Sequence, residues 1–191
     1  MTKSILKSVL LLGTTVALLS FDIPTGWFAA GSNPKSYNMG IDKGSGPNGE
    51  NVATIQSVDK KIKGFGTLMQ NSVPDKYLGK RVRMTGELKS KEVNEWAAFW
   101  FRVDQAGSNN SLSFDNMHDG NKDRSIKGTT DWKKYEIILD VPAKATNLAF
   151  GALLSGTGQI WFTNINFEIV DNTVKTTDFK NSEPTNLNFE K

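Results

Sequence analysis

After residue 21 the chain runs in short stretches of alternating apolar and polar side chains, broken by Gly, Pro, Asn and Asp, with almost no helical periodicity. Eight stretches read as strands: 51–57 (NVATIQS), 64–70 (GFGTLMQ), 80–90 (KRVRMTGELKS), 95–104 (EWAAFWFRVD), 111–117 (SLSFDNM), 134–142 (KYEIILDVP), 147–155 (NLAFGALLS) and 159–170 (QIWFTNINFEIV). In 80–90, Val82, Met84, Gly86 and Leu88 share one face, and Arg81, Arg83, Thr85 and Glu87 the other. Glycine-bearing stretches at 42–51 and 104–111 supply loops, and LSGTGQ (154–159) supplies a hairpin turn. Short strands with turns between them and no crossover helices predict a sandwich or barrel, not a parallel α/β sheet.

The stretch 95–104 departs from a simple core strand. Ala97, Phe99, Phe101 and Val103 form an ordinary core face. The opposite parity holds Trp96, Ala98, Trp100, Arg102 and Asp104. An indole is bulky, is seldom fully buried, and needs a partner for its N–H. Two readings stay open: a strand covered on both faces, or a platform on which a sugar ring stacks while the charged groups bind its hydroxyls.

Residues 1–20 have a different character. MTKSILK carries two lysines, and the run from Ser8 to Phe21 is uncharged and mostly apolar. This is the pattern of a secretory leader, shorter than a membrane span of about 20 residues. A cleaved signal is expected; an uncleaved anchor and a buried N-terminal helix are the alternatives. The charge balance is near even, 23 Lys and Arg against 20 Asp and Glu, which gives no footprint for nucleic acid. The absence of cysteine excludes disulfides, thiolate metal sites and cysteine nucleophiles, and a single histidine excludes multi-histidine metal sites.

Other candidate chemistry is sparse. Segment 113–125 is rich in oxygen ligands, but counting from Asp115 puts Met117 at the third position and Ile126 at the twelfth, where a calcium loop needs oxygens. It reads as a polar turn, with His118 an exposed loop histidine. No G-x-S-x-G nucleophile elbow is present. Asp104, Asp115 and Asp140 are the acids available to a glycosidase-type pair. TNINFE at 163–168 returns as TNLNFE at 185–190, and the polar stretch between them suggests a loosely held tail.

Five segments together carry a resemblance: GWFAAGSNPKSYNMGID (26–42), WFRVD (100–104), FDNM (114–117), IKGTTDWKKYEIILDVP (126–142) and FGALLSGTGQIWF (150–162). They resemble an uncharacterised bacterial jelly-roll module, found alone and attached to AraC-type helix-turn-helix transcriptional regulators. That module is similar to galactose-binding-like and carbohydrate-binding sandwiches. The resemblance spans about residues 21–171. It implies a ligand on a concave sheet face or on the loops at one edge, and favours Trp100, Arg102, Asp104, Asn116 and Gln159, which fall in its segments. Trp27, Trp132 and Trp161 read as structural, Trp132 following a GTTD turn and plugging one end. The 191 residues contain no helix-turn-helix segment, so no DNA-binding role is expected.

The expectation is therefore an all-β, jelly-roll (galactose-binding-like) antiparallel β-sandwich at 21–171, preceded by a signal-like helix at 1–20 and followed by a polar tail at 172–191. The expected role is an extracytoplasmic, non-catalytic module binding carbohydrate or a related small polar ligand. Its site would comprise Trp96, Trp100, Arg102, Asp104, Asn116 and Gln159, with no cofactor, metal or nucleic acid, and with membrane contact only through an uncleaved leader. The rivals are a glycan-acting hydrolase and a structural or protein-interaction domain, including a sensor module related to transcriptional regulators.

Overall fold

A computed structural model describes residues 21–118 and 123–178. The leader and the second TNLNFE copy lie outside the described residues. Nine strands follow in order: β1 (Phe28–Gly31), β2 (Tyr37–Asp42), β3 (Val52–Ser57), β4 (Phe65–Ser72), β5 (Lys80–Asp104), β6 (Ser113–Asp115), β7 (Ile126–Val141), β8 (Asn147–Ser155) and β9 (Gln159–Val170). Every pairing is antiparallel, in the order β1-β4-β8-β5-β9-β3-β2, with β6 and β7 also pairing with β5. Among the described residues there is no α-helix, only 3-10 turns at Pro34–Ser36 and Asp75–Tyr77. None is long and apolar enough to cross a membrane as a helix.

The 25-residue β5 organises the molecule. The alternation at 80–90 and 95–104 predicts two strands; the structure joins them into one. Its first half, Lys80–Lys91, runs beside β9 and β7, and its second half, Trp96–Asp104, beside β8 and β6. Between them the register with β7 slips repeatedly and Glu92 takes a φ of 53°. A bulge turns the strand and shifts its parity. Even residues Val82, Met84 and Leu88 are buried before it, and odd residues Val93, Ala97, Phe99, Phe101 and Val103 after it. Both core faces predicted from the sequence are thus right, and the bulge reconciles them. Gly158, in the β8–β9 turn, packs on this corner: a Cβ there would lie 2.8 Å from Glu92 O, and its φ of 130° also favours glycine.

The two halves of β5 face each other across the core. A Cβ on Gly86 would fall 2.7 Å from Cζ of Phe99. Phe99 meets Phe162 edge-on at 6.0 Å, and Phe101 meets Phe167 at 5.4 Å. Each fully buried phenylalanine stabilises the fold by roughly 1.5–3 kcal/mol through area removed from water. Trp27 closes one side against Phe150 at 5.7 Å and Phe162 at 6.0 Å, in line with its structural reading. Tyr37 donates its hydroxyl to the carbonyls of Gly156 at 2.9 Å and Gly64 at 3.2 Å. Burial, reinforced by the Glu95 carboxylate, pushes its pKa up to about 12.

Three details differ from the expectation. β1 and β2 were not foreseen, because FAAG and YNMGID carry glycine and lack clean alternation. β7 begins at Ile126, so GTTD lies within a strand rather than a turn, and Trp132 is a half-buried strand residue that does not plug an end. The tail after β9 is not loose where it is described. Thr177 N–H donates to Ile138 O at 2.8 Å, and Arg81 Nη1 bonds the carbonyls of Asn172 and Val174 at 2.6 and 2.5 Å.

Candidate functional site

The sheet β6-β5-β8-β4-β1 turns one face to the core and the other outward. Antiparallel register sets the outward rows. Trp100 stands opposite Gly151, then Met69, then Phe28; Ala98 opposite Leu153, then Thr67, then Ala30; Arg102 opposite Phe114 on β6 and Ala149 on β8. A cavity of about 350 Å³ opens here, lined by Ala30, Gly31, Phe65, Thr67, Met69, Trp96, Trp100, Arg102, Phe114, Asn116 and Leu153. The volume falls in the range of small-molecule sites. Four of the six predicted site residues therefore converge: Trp96, Trp100, Arg102 and Asn116.

The two tryptophans play different parts. Trp100 is 7% exposed and packs with Ala149 and Leu153. Its indole crosses β8, with only Gly151 opposite it in register, and donates Nε1–H to Thr67 Oγ1 at 2.9 Å. The Thr67 hydroxyl in turn donates to Ala152 O at 2.7 Å. Trp100 is thus a fixed floor with its N–H already used, not an open stacking platform. Trp96 is half-buried and stacks on His118, ring centres 4.3 Å apart and planes 13° from parallel. His118, expected as an exposed loop residue, does lie in a loop and is partly covered there by Trp96, with Nδ1 3.5 Å from Asp123 Oδ1.

Arg102 is held rather than loose. Its Nε lies 2.9 Å from Asp104 Oδ1 and 3.1 Å from Oδ2, and Asp104 also accepts from Asn147 Nδ2 at 3.2 Å. Asp104 itself lines a neighbouring polar hollow on the 104–111 loop, so it orients the arginine from outside the main cavity. Asn116 Oδ1 accepts the His118 N–H at 3.0 Å, forming the turn that carries Asn116 at the cavity and His118 against Trp96. Below that turn Asp115, its side chain 1% exposed, accepts the Met117 N–H at 2.7 Å and is bound by Arg124. The same arginine reaches Glu136 O on β7 at 2.8 Å, which ties the rim to the scaffold.

Gln159 is not brought to this site. It donates to Thr54 Oγ1 at 3.1 Å on the outer face of the other sheet, beside a separate polar cavity of about 450 Å³. Its parity with Trp161 on β9 sends it there. Trp161 bonds Asp42 Oδ2 at 2.7 Å and carries Lys89 over its ring at 5.6 Å, a cross-strand arrangement that suits its structural reading. Sequence reasoning missed Phe65, Thr67, Met69, Phe114 and Leu153, which alternate with core residues on β4, β6 and β8. Period-2 counting on those strands, once β5 is known to pair with β8, would have found them. Asp104, Asp115 and Asp140 do not share a cleft as a pair of free acids: each is bound to an arginine, Asp140 to Arg81 at 2.7 Å. Among the described residues no group of three or more His, Asp or Glu is placed to hold a metal ion.

No family model matches the chain. An uncharacterized HTH-type transcriptional regulator of Bacillus subtilis (strain 168), YbfP, is 40% identical over 171 residues, which is 86% of this chain and 56% of the regulator. The chain thus spans little more than half the length of that relative. Among solved structures, the CBM22-1 xylan-binding domain of Paenibacillus barcinonensis Xyn10C superposes with a TM-score of 0.53 at 13% identity, covering 78% of this chain and 88% of that domain. The enzymatically active domain of bacteriophage CBA120 tailspike protein 4 matches with a TM-score of 0.54 at 11% identity, over 76% of this chain and 20% of its own. At such identities the likeness is one of fold. The chain has the antiparallel jelly-roll sandwich of carbohydrate-binding modules.

Proposed function

We propose that the chain is an exported, non-catalytic module that binds carbohydrate in the cavity between Trp96, Trp100, Arg102 and Asn116. The observation that carries this reading is the cavity itself: aromatic walls and one oriented guanidinium on the outward face of a sandwich shared with xylan-binding modules. A sugar ring would lay its apolar face on the cavity's aromatic surface and direct hydroxyls to Arg102 and Asn116. The arginine pairing of Asp104, Asp115 and Asp140 offers no support to a hydrolase. Titration of the purified protein against a glycan panel, followed by tryptophan fluorescence and calorimetry, tests the reading. Trp96→Ala should weaken binding at least tenfold with the melting temperature nearly unchanged, since Trp96 is half-buried at the rim. Binding that survives the substitution would place the ligand elsewhere.

The 40% identity to part of a transcriptional regulator favours a second reading of the same cavity, as the ligand-sensing part of a larger signalling protein. Export rests on the apolar run of the first twenty residues. The intact mass of the protein from its native host tests it: loss of that segment is expected, and Met1 retained on soluble cytoplasmic protein would refute it.

A further inference from the structure

We infer that the cavity selects a carboxylate-bearing sugar, a hexuronate, with Arg102 as the residue that recognises the acid; this rests on the carbohydrate reading above. The inference begins with how polar capacity is distributed around the cavity. Arg102 is the one formally charged side chain among its described lining residues, and no carboxylate is among them. The guanidinium is fixed through Nε by Asp104, which Asn147 holds in turn, while Nη1 and Nη2 make no hydrogen bond to any described residue. An arginine anchored at one nitrogen and presenting its terminal pair is shaped for two parallel bonds to a carboxylate. Its side chain is 45% exposed, so a ligand can reach it from solvent.

The rest of the lining argues against a neutral, fully hydroxylated ring. The Trp100 N–H is spent on Thr67, and the Thr67 hydroxyl on Ala152 O. Phe65, Met69 and Leu153 supply only apolar surface. Hydroxyls pressed against them would lose water without compensation, at a cost a neutral sugar has little to offset. A hexuronate concentrates its strongest acceptor at one position and can turn an apolar ring face to the opposite wall. Asp104 offsets part of the arginine's charge, but its oxygens are taken by Arg102 Nε and Asn147, so the selection of an acid rests on the terminal N–H groups of Arg102 as paired donors.

The test compares methyl glucuronide with two neutral analogues, its near-isosteric amide methyl glucuronamide and methyl glucoside, and with benzoate as an acid that is not a sugar, by calorimetry at low and at physiological salt. The expected result is at least tenfold tighter binding of the glucuronide than of either neutral sugar, with the advantage shrinking as salt rises. Arg102→Gln should reduce that advantage to less than twofold, and Arg102→Lys should restore part of it. Equal binding of neutral and acidic sugars, or a preference that survives Arg102→Gln in a variant that melts like the parent, would overturn the inference and leave the carbohydrate reading standing. Tighter binding of benzoate than of any uronide would overturn it as well. If no sugar of either kind binds, both readings fall.

Discussion

Replacing Gly86 by alanine tests whether β5 folds over on itself. Gly86 lies in the first half of β5 with an extended backbone, so alanine is not strained there. On backbone entropy alone the change should stabilise the protein by roughly 0.5–1 kcal/mol. The new methyl, however, would stand 2.7, 3.0 and 3.2 Å from Cζ, Cε2 and Cε1 of Phe99. That ring is 1% exposed and held edge-on by Phe162, so it has nowhere to retreat. Overpacking costs about 1–3 kcal/mol, and against a ring that cannot move the upper part of that range, about 2–3 kcal/mol, applies; less the gain of about 1 kcal/mol this leaves a net loss of about 1–2 kcal/mol. For a chain of this size that is a fall in Tm of about 2–8 °C. Phe99→Leu shortens the side chain that meets the methyl, so the double variant should be more stable than the two single losses summed, with a coupling above about 0.5 kcal/mol. Guanidinium unfolding followed by tryptophan fluorescence would measure all four proteins. A neutral or stabilising Gly86→Ala, or strict additivity with Phe99→Leu, would show that the two halves of β5 do not meet.

Two further predictions concern the scaffold of the cavity. Arg124→Met leaves the buried Asp115 carboxylate without its cation and should cost about 3–5 kcal/mol in denaturant unfolding, while adding Asp115→Asn should recover more than half of that. The Tyr37 phenol, with its pKa raised from 10.0 to about 12, holds its proton more tightly folded than unfolded, so its stabilisation is complete below pH 10 and is lost as the pH rises toward 12. Unfolding free energies measured across that window should fall less steeply in Tyr37→Phe than in the parent, and identical slopes would remove burial as the cause.

Much of this was legible in the residues. Alternation placed Phe99 and Phe101 in the core, and both are buried. It also set Trp96, Trp100 and Arg102 on the opposite face, where the cavity lies. What could not be read were features that depend on pairing between distant segments. The bulge at Glu92 joins two alternating runs of opposite parity, and nothing in KSKEVNE signals that the strand continues. The role of Trp100 as floor rather than platform follows from Thr67, which is brought near by the pairing of β5 with β8 and of β8 with β4. Gln159 misled because its segment belongs to the fold's hairpin and its parity sends it to the other sheet.

Because β5 is the central strand on both sides of the sandwich, neither sheet exists without the other. A peptide bond cut between Lys91 and Asn94 would leave the N-terminal fragment with the first half of β5 and neither β7 nor β9 to pair with it, and the C-terminal fragment with β7 and β9 missing that strand and β8 missing β4. Such fragments should be unfolded alone and recover structure only when mixed. For the intact chain the same arrangement makes folding a search among partners far apart in sequence, which places it with the slow, topologically complex β proteins that fold in milliseconds to seconds.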